Sequence, residues 1–149
     1  DLMPVVGAMA IPSKTRISAT ERLRLASALS LGKALSHLPP GLLRRSMTAF
    51  AAKARPASYR EAEAAVVSIT QYSKASAGPG SCLQRSISVC ILMRLDGRWP
   101  TWCVGVPSKP PFRAHAWIEA GGQIVAELGD MNSYSRLMTI STHAERTES

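Results

Sequence analysis

The sequence predicts an α+β protein, with helices first and an antiparallel sheet after them. Three observations carry this. Apolar residues recur at helical spacing from Ser18 to mid-chain, behind capping signals. The apolar stretch LQRSISVCILMRL follows the breaking loop AGPGS and is helix-sized. From residue 101 onward the periodicity falls to two, punctuated by Gly and Pro pairs.

Three segments open on the pattern Ser-x-x-Glu/Gln: Ser18 with Glu21, Ser58 with Glu61, and Ser81 with Gln84. In this capping box the serine side chain binds the third helical amide and the acidic or amide side chain reaches back. After Ser18, the spacing of Ala28, Leu31, Leu35 and Leu38 predicts a helix stopped by Pro39-Pro40-Gly41. A second helix is expected over 42–54. A third is expected over roughly 59–76, built around Ala62, Val66, Ile69 and Tyr72. After the AGPGS loop, Leu83, Ile87, Cys90 and Ile91 form the stripe of a buried helix that stops at Asp96-Gly97.

The strands follow. TWCVGV (101–106) is extended, and PSKPP then makes a loop that a central sheet would not accept. Strands are expected at 113–119 and 123–128 around Gly121-Gly122, and a short one at 136–140. With a three-residue loop, Ala120-Gly121-Gly122, one hairpin face collects Ala114, Ala116, Ile118, Ile124, Ala126 and Leu128. Such loops with a left-handed glycine are common, and the buried face selects the register. The other face then carries His115 directly opposite Glu127, with Cβ atoms about 5 Å apart. That is an imidazole beside a carboxylate, two members of a nucleophilic triad. A plain surface cross-strand pair would look the same.

The chain has 149 residues and 46% apolar residues, enough for one domain with a real core. No apolar run is long enough to span a bilayer, so no stable membrane insertion is expected. Residues 2–12 are apolar but short, hold two prolines and lack a basic lead-in, so no signal peptide is expected. The net charge is +8, and it is lopsided: residues 1–80 hold eleven Lys/Arg against four Asp/Glu. Such a basic half suits an acidic partner, and Arg22, Arg24, Arg44, Arg45, Lys53 and Arg55 are the candidate docking charges. A solvated helix face explains the same charges more simply.

Three cysteines, Cys82, Cys90 and Cys103, leave one over in any disulfide scheme, which favours free thiols in a cytoplasmic setting. Zinc held by these three and His115 fits poorly, because structural sites draw ligands in close pairs. No metal and no cofactor is expected. Cys90 falls on a buried helix stripe and Cys103 inside a strand, the positions of inert core thiols. Cys82 differs. It follows the N-cap Ser81, where the helix dipole favours a thiolate and free backbone amides can hold an oxyanion. With His115 and Glu127 downstream, Cys82 completes a Cys-His-carboxylate set.

The stretches CLQRS (82–86), PFRAHAWIE (111–119) and GQIVAE (122–127) resemble the lasso-peptide B protein in its stand-alone leader-peptidase form. That family belongs to the transglutaminase-like, papain-related cysteine peptidases. The resemblance covers residues 82–140; the helical part matches only in character. It implies a transglutaminase-like core with Cys82 as nucleophile, His115 as base and Glu127 as the orienting carboxylate. The family usually has aspartate there, so Asp130 is the fallback. Ser81, Gln84 and Trp117 become candidate oxyanion or substrate contacts. The implied reaction removes the leader from a ribosomally made precursor peptide, with water hydrolysing the thioester. The implied partners are a separate winged-helix leader-recognition protein and an ATP-dependent lasso cyclase that takes the freed amine. The expected layout is an extended tail at 1–17, a basic helical part at 18–76, a catalytic core at 81–140 and a disordered polar tail at 141–149. Two rivals are a non-enzymatic basic module binding nucleic acid and a thioester acyltransferase of the same fold. The triad reading makes the enzyme the preferred expectation, without nucleic acid as a partner.

Overall fold

A computed structural model describes residues 17–74, 80–126 and 134–147. Apart from Ile17, the tail expected at 1–17 lies outside them.

The helices come first: α1 (Ala19–Ser36), α2 (Pro40–Ala51), α3 (Tyr59–Tyr72) and α4 (Cys82–Arg94), with a short strand β1 (Arg55–Pro56) before α3. Strands β2 (Arg98–Trp99), β3 (Thr101–Pro107), β4 (His115–Ala120), β5 (Gln123–Ile124) and β6 (Tyr134–Ile140) follow, and α5 (His143–Thr147) ends the described chain. Strands β5, β4, β3 and β6 lie in that order in one four-stranded antiparallel sheet, while β1 and β2 pair in parallel. The α+β expectation is met.

α4 is the centre of the molecule. α1, α2 and α3 pack against it, as do β4 and β3, and α3 also reaches β4. Residues Ser86 to Met93 are buried all round, so this part of the helix has no exposed face, while its first turn stays half-buried. Trp102 donates its indole N–H to Ser86 Oγ at 3.0 Å, which ties the sheet to the helix inside the core. Trp99 likewise donates to the Ile140 carbonyl at 3.2 Å. Buried indoles need such partners.

The caps form unequally. Ser58 and Glu61 make the full reciprocal box, and Ser18 accepts from the Glu21 amide at 3.1 Å. Ser81 makes no cap bond to α4. Its ψ is 11°, whereas Ser18 and Ser58 have ψ of 156° and 162°. Only the extended backbone aims the hydroxyl at the third amide.

The stripe on α1 also differs from expectation. Leu25, Ala28, Gly32 and Leu35 are buried, and Leu31 is exposed. Gly32 faces α4 because nothing larger fits: a Cβ there would stand 2.1 Å from Ser88 Oγ. α2 starts at Pro40, two residues before the expected 42, since proline suits a first helical position.

The hairpin adopts the other register. Ala120 pairs with Gln123 and Glu119 with Ile124, so the loop is only Gly121-Gly122. Both glycines have positive φ, 59° and 76°, as a type I′ turn requires. The Val125 amide donates to the Ile118 carbonyl at 3.0 Å. Val125 therefore fills the core with Ile118, and Ile124 moves to the half-buried outer face. The extension ends early, with Ala126 at φ 57°.

Residues 141–147, expected in a disordered tail, include a helical turn. Thr142 is fully buried and its Oγ1 accepts from the Glu145 amide at 3.3 Å, opening α5. Thr101 donates to Glu145 at 3.1 Å and holds that helix on β3.

Candidate active site

Cys82 occupies the first position of α4 and is half-buried, the most accessible of three free cysteines. The first helical bond runs from the Arg85 amide to the Ser81 carbonyl at 2.8 Å. The amides of Cys82, Leu83 and Gln84 precede it in the first turn, and Ser81 caps none of them. Donors at that position are available to a developing negative charge.

The other two thiols are fully buried. Burial pushes the Cys90 thiol well up, and the nearby Cys103 adds to this. Cys103 is pushed up to about 12, first by burial and then by the Glu119 carboxylate. Both remain protonated at neutral pH, and a thiol is a poor nucleophile.

His115 is the first residue of β4 and pairs with Gly105 of β3. Strand alternation sends Ala116, Ile118 and Ala120 into the core beside α4. His115, Trp117 and Glu119 share the opposite face with Cys103, Tyr134 and Arg136. There Trp117 stacks near-parallel on His115, ring centres 6.1 Å apart at 20°. Tyr134 packs on both, 5.9 Å from the imidazole and edge-on to the indole at 5.7 Å. Glu119 is held by Arg136 and lies 3.5 Å from the Trp117 indole N–H and 3.6 Å from Cys103 Sγ.

A small, partly open pocket of about 20 Å³ lies between α3, α4 and the hairpin. Val66, Val89, Ile118 and Val125 give it apolar walls, and Arg85, Ser86, Ala116 and Trp117 complete them. Cys82 sits one helical turn before the wall residue Ser86, whereas His115, next to the wall residue Ala116, leaves the other face of β4; neither Cys82 nor His115 lines the pocket.

Glu127 and Asp130 lie outside the described residues. The register that set Glu127 opposite His115 is not the one the hairpin takes. Trp117, proposed as a substrate contact, is 2% exposed and serves as a wall. Ser81 and Gln84 are half-buried at the start of α4, where the Gln84 carbonyl accepts from Ser88 Oγ at 2.7 Å.

The basic residues divide. Arg22, Arg44, Arg45 and Lys53 are exposed. Arg24 is instead bound by Asp96 through two bonds of 2.9 and 2.8 Å, clamping α1 to the turn after α4. Arg55 is exposed but pairs with Glu61 at 3.5 Å, and Glu61 also binds Arg98.

Sequence reasoning missed Tyr134, Gly105 and the Glu119–Arg136 pair. The period of β4 already puts Glu119 on the face of His115. Tyr134 and Gly105 arrive through cross-strand register, including an irregularity between Val104 and Gly105, which no local pattern announces. Among the described residues no group of three or more His, Cys, Asp or Glu gathers as a metal site. No described helix is long and apolar enough to cross a membrane.

The sequence model of one family, described as the transglutaminase-like superfamily, matches residues 25–139. Neither the curated proteins nor the solved structures returned a match.

Proposed function

Because the chain belongs to the transglutaminase-like superfamily, whose fold is of the cysteine peptidase and acyltransferase type, we propose that it is a cysteine peptidase that removes the leader from a lasso precursor peptide. One observation carries this reading. The most accessible thiol, Cys82, stands at the uncapped N-terminus of the buried helix that packs against the strand of His115. The motifs CLQRS and PFRAHAWIE support the choice of substrate.

In this reading His115 takes the proton from Cys82 Sγ. The thiolate attacks the scissile carbonyl, and first-turn amides of α4 meet the oxyanion. The C–N bond breaks, and the imidazolium returns its proton to the departing amine of the core peptide. A thioester now joins Cys82 to the carboxyl end of the leader. Water, deprotonated by His115, attacks that thioester, releasing the leader acid and restoring the thiol. Glu127, with Asp130 as the alternative, is the carboxylate assigned to orient His115. The leader-recognition protein of winged-helix type would deliver the substrate, and the ATP-dependent cyclase would consume the amine. The exposed Arg22, Arg44, Arg45 and Lys53 suit the docking of such a partner.

The same thioester reacts with an amine in an acyltransferase, and the superfamily match favours this second reading equally at the level of fold. One experiment separates the readings. The chain is incubated with a lasso precursor peptide and a winged-helix leader-binding protein, and products are weighed by mass spectrometry. Cleavage to a free leader acid that disappears in Cys82→Ala and His115→Ala supports the peptidase. A leader amide formed with an added amine at the expense of the acid supports the acyltransferase. Cleavage that survives Cys82→Ala refutes both.

A further inference from the structure

The aromatic cluster on the outer face of the sheet has no part in the acyl chemistry above, yet its geometry converges on His115. Trp117 is two residues from His115 on the same strand, so their side chains leave the same face. Its indole does not stand up from the sheet. It lies across the neighbouring strand at Gly105, where a Cβ would come 2.8 Å from Trp117 Cη2 and 2.5 Å from the Ser135 carbonyl oxygen. Gly105 is also the register partner of His115. The missing side chain thus leaves the space through which Trp117 reaches β6. There Tyr134 closes against both rings. At the other end Glu119, held by Arg136, lies within 3.5 Å of the indole N–H. Trp117 is 2% exposed, so its ring has little freedom to turn.

We propose that Trp117 and Tyr134 are positioning residues, which fix the plane of the His115 imidazole, with Gly105 and the Glu119–Arg136 pair holding Trp117 in place. This rests on His115 being the base proposed above. A general base acts through geometry, and a misplacement of about 1 Å can cost on the order of 10²-fold in rate. The near-parallel Trp117 ring and the tilted Tyr134 ring together restrict the tilt of the imidazole, whereas a carboxylate partner restricts only one nitrogen. In this proposal the cluster acts through His115, and Trp117 also forms part of the pocket wall.

The test uses the full chain and p-nitrophenyl acetate, an ester that acylates an activated thiol and releases p-nitrophenolate. Burst rate and KM are measured for Tyr134→Leu, Tyr134→Phe, Trp117→Leu and Trp117→Phe, with circular dichroism as a check of fold. Both leucine variants should slow the acylation burst by about ten- to a hundredfold, with KM changed less than about twofold. The phenylalanine variants, which keep a ring, should recover most of the loss. If Trp117→Leu fails to fold, the Tyr134 pair decides alone, since Tyr134 lies half-buried at the end of its strand. A wild-type burst in Tyr134→Leu, or a loss in Tyr134→Phe equal to that in Tyr134→Leu, overturns the proposal. His115→Ala is the control: an intact burst there overturns the parent reading instead.

Discussion

Gly32 of α1 lies against Ser88 of α4 so closely that a Cβ on Gly32 would stand 2.1 Å from Ser88 Oγ and 3.0 Å from the Ser88 amide nitrogen. The hydroxyl is not free to swing away at no cost, since it bonds the Gln84 carbonyl at 2.7 Å. Gly32→Ala should therefore destabilise the protein. Overpacking typically costs about 1–3 kcal/mol, and the better helix propensity of alanine returns roughly 1 kcal/mol. A net loss near 1 kcal/mol is expected in urea unfolding. Adding Ser88→Ala should recover part of it, and strict additivity of the two changes would contradict the contact.

Cys82 should be the only cysteine that iodoacetamide labels in the folded protein at neutral pH. Cys90 and Cys103 are fully buried and their thiols are pushed up, the latter to about 12. Peptide mapping should find them modified only after unfolding. Faster labelling of either in the native state would remove Cys82 as the nucleophile.

Acid should loosen the clamp between α1 and the end of α4. The Arg24 guanidinium, through its hydrogen bonds and then its charge, holds the Asp96 carboxyl below its ordinary range. A group lowered on folding contributes stability above its unfolded pKa, and that contribution fades as pH falls through the lowered value. Asp96→Asn should lower the urea midpoint near about pH 7, and its effect should shrink as pH falls through the lowered value of the wild-type carboxyl. An effect that stays the same over that fall would show that the pair contributes through packing alone.

The hairpin turn can be tested through its glycines. Gly121 and Gly122 have φ of 59° and 76°. In a type I′ turn Asn-Gly is a favoured pair, so Gly121→Asn should be close to neutral. Gly122→Ala should cost roughly 1–2 kcal/mol, the price of left-handed backbone for a residue with a Cβ. A neutral Gly122→Ala would favour a longer loop.

Arg44 and Arg45 are exposed on α2 and are not among the catalytic candidates. If the proposed leader-binding partner docks on this face, replacing both by glutamate should weaken its stimulation at low salt, mainly through association rate. High salt should narrow the gap between variant and wild type. Basal hydrolysis of p-nitrophenyl acetate should be unchanged. A partner titration that gives equal stimulation of both proteins at low salt would place the docking surface elsewhere.

Local pattern alone determined the order of the elements. Ser18 and Ser58 cap their helices as their sequences predict, because a cap needs only residues three apart. The same holds for the place of Cys82 at the start of α4 and for the alternation that puts His115, Trp117 and Glu119 on one face of β4. Contacts between distant residues decided the rest. Val125 and Ile124 are both apolar and β-branched, so the sequence permits either in the core; the two-glycine turn and the space beside Ile118 chose Val125. Leu31 and Gly32 adjoin on one helix, and the close approach of α4 turned the smaller one inward. Arg24 reads as a free surface charge until the fold brings Asp96 to it from 72 residues away. The cage around His115 is drawn from three strands, through a shifted register that short-range periodicity does not encode. Helices and strands follow from what each residue does to its own backbone. Register, close packing and the surroundings of His115 follow only from which distant surfaces can approach without clash.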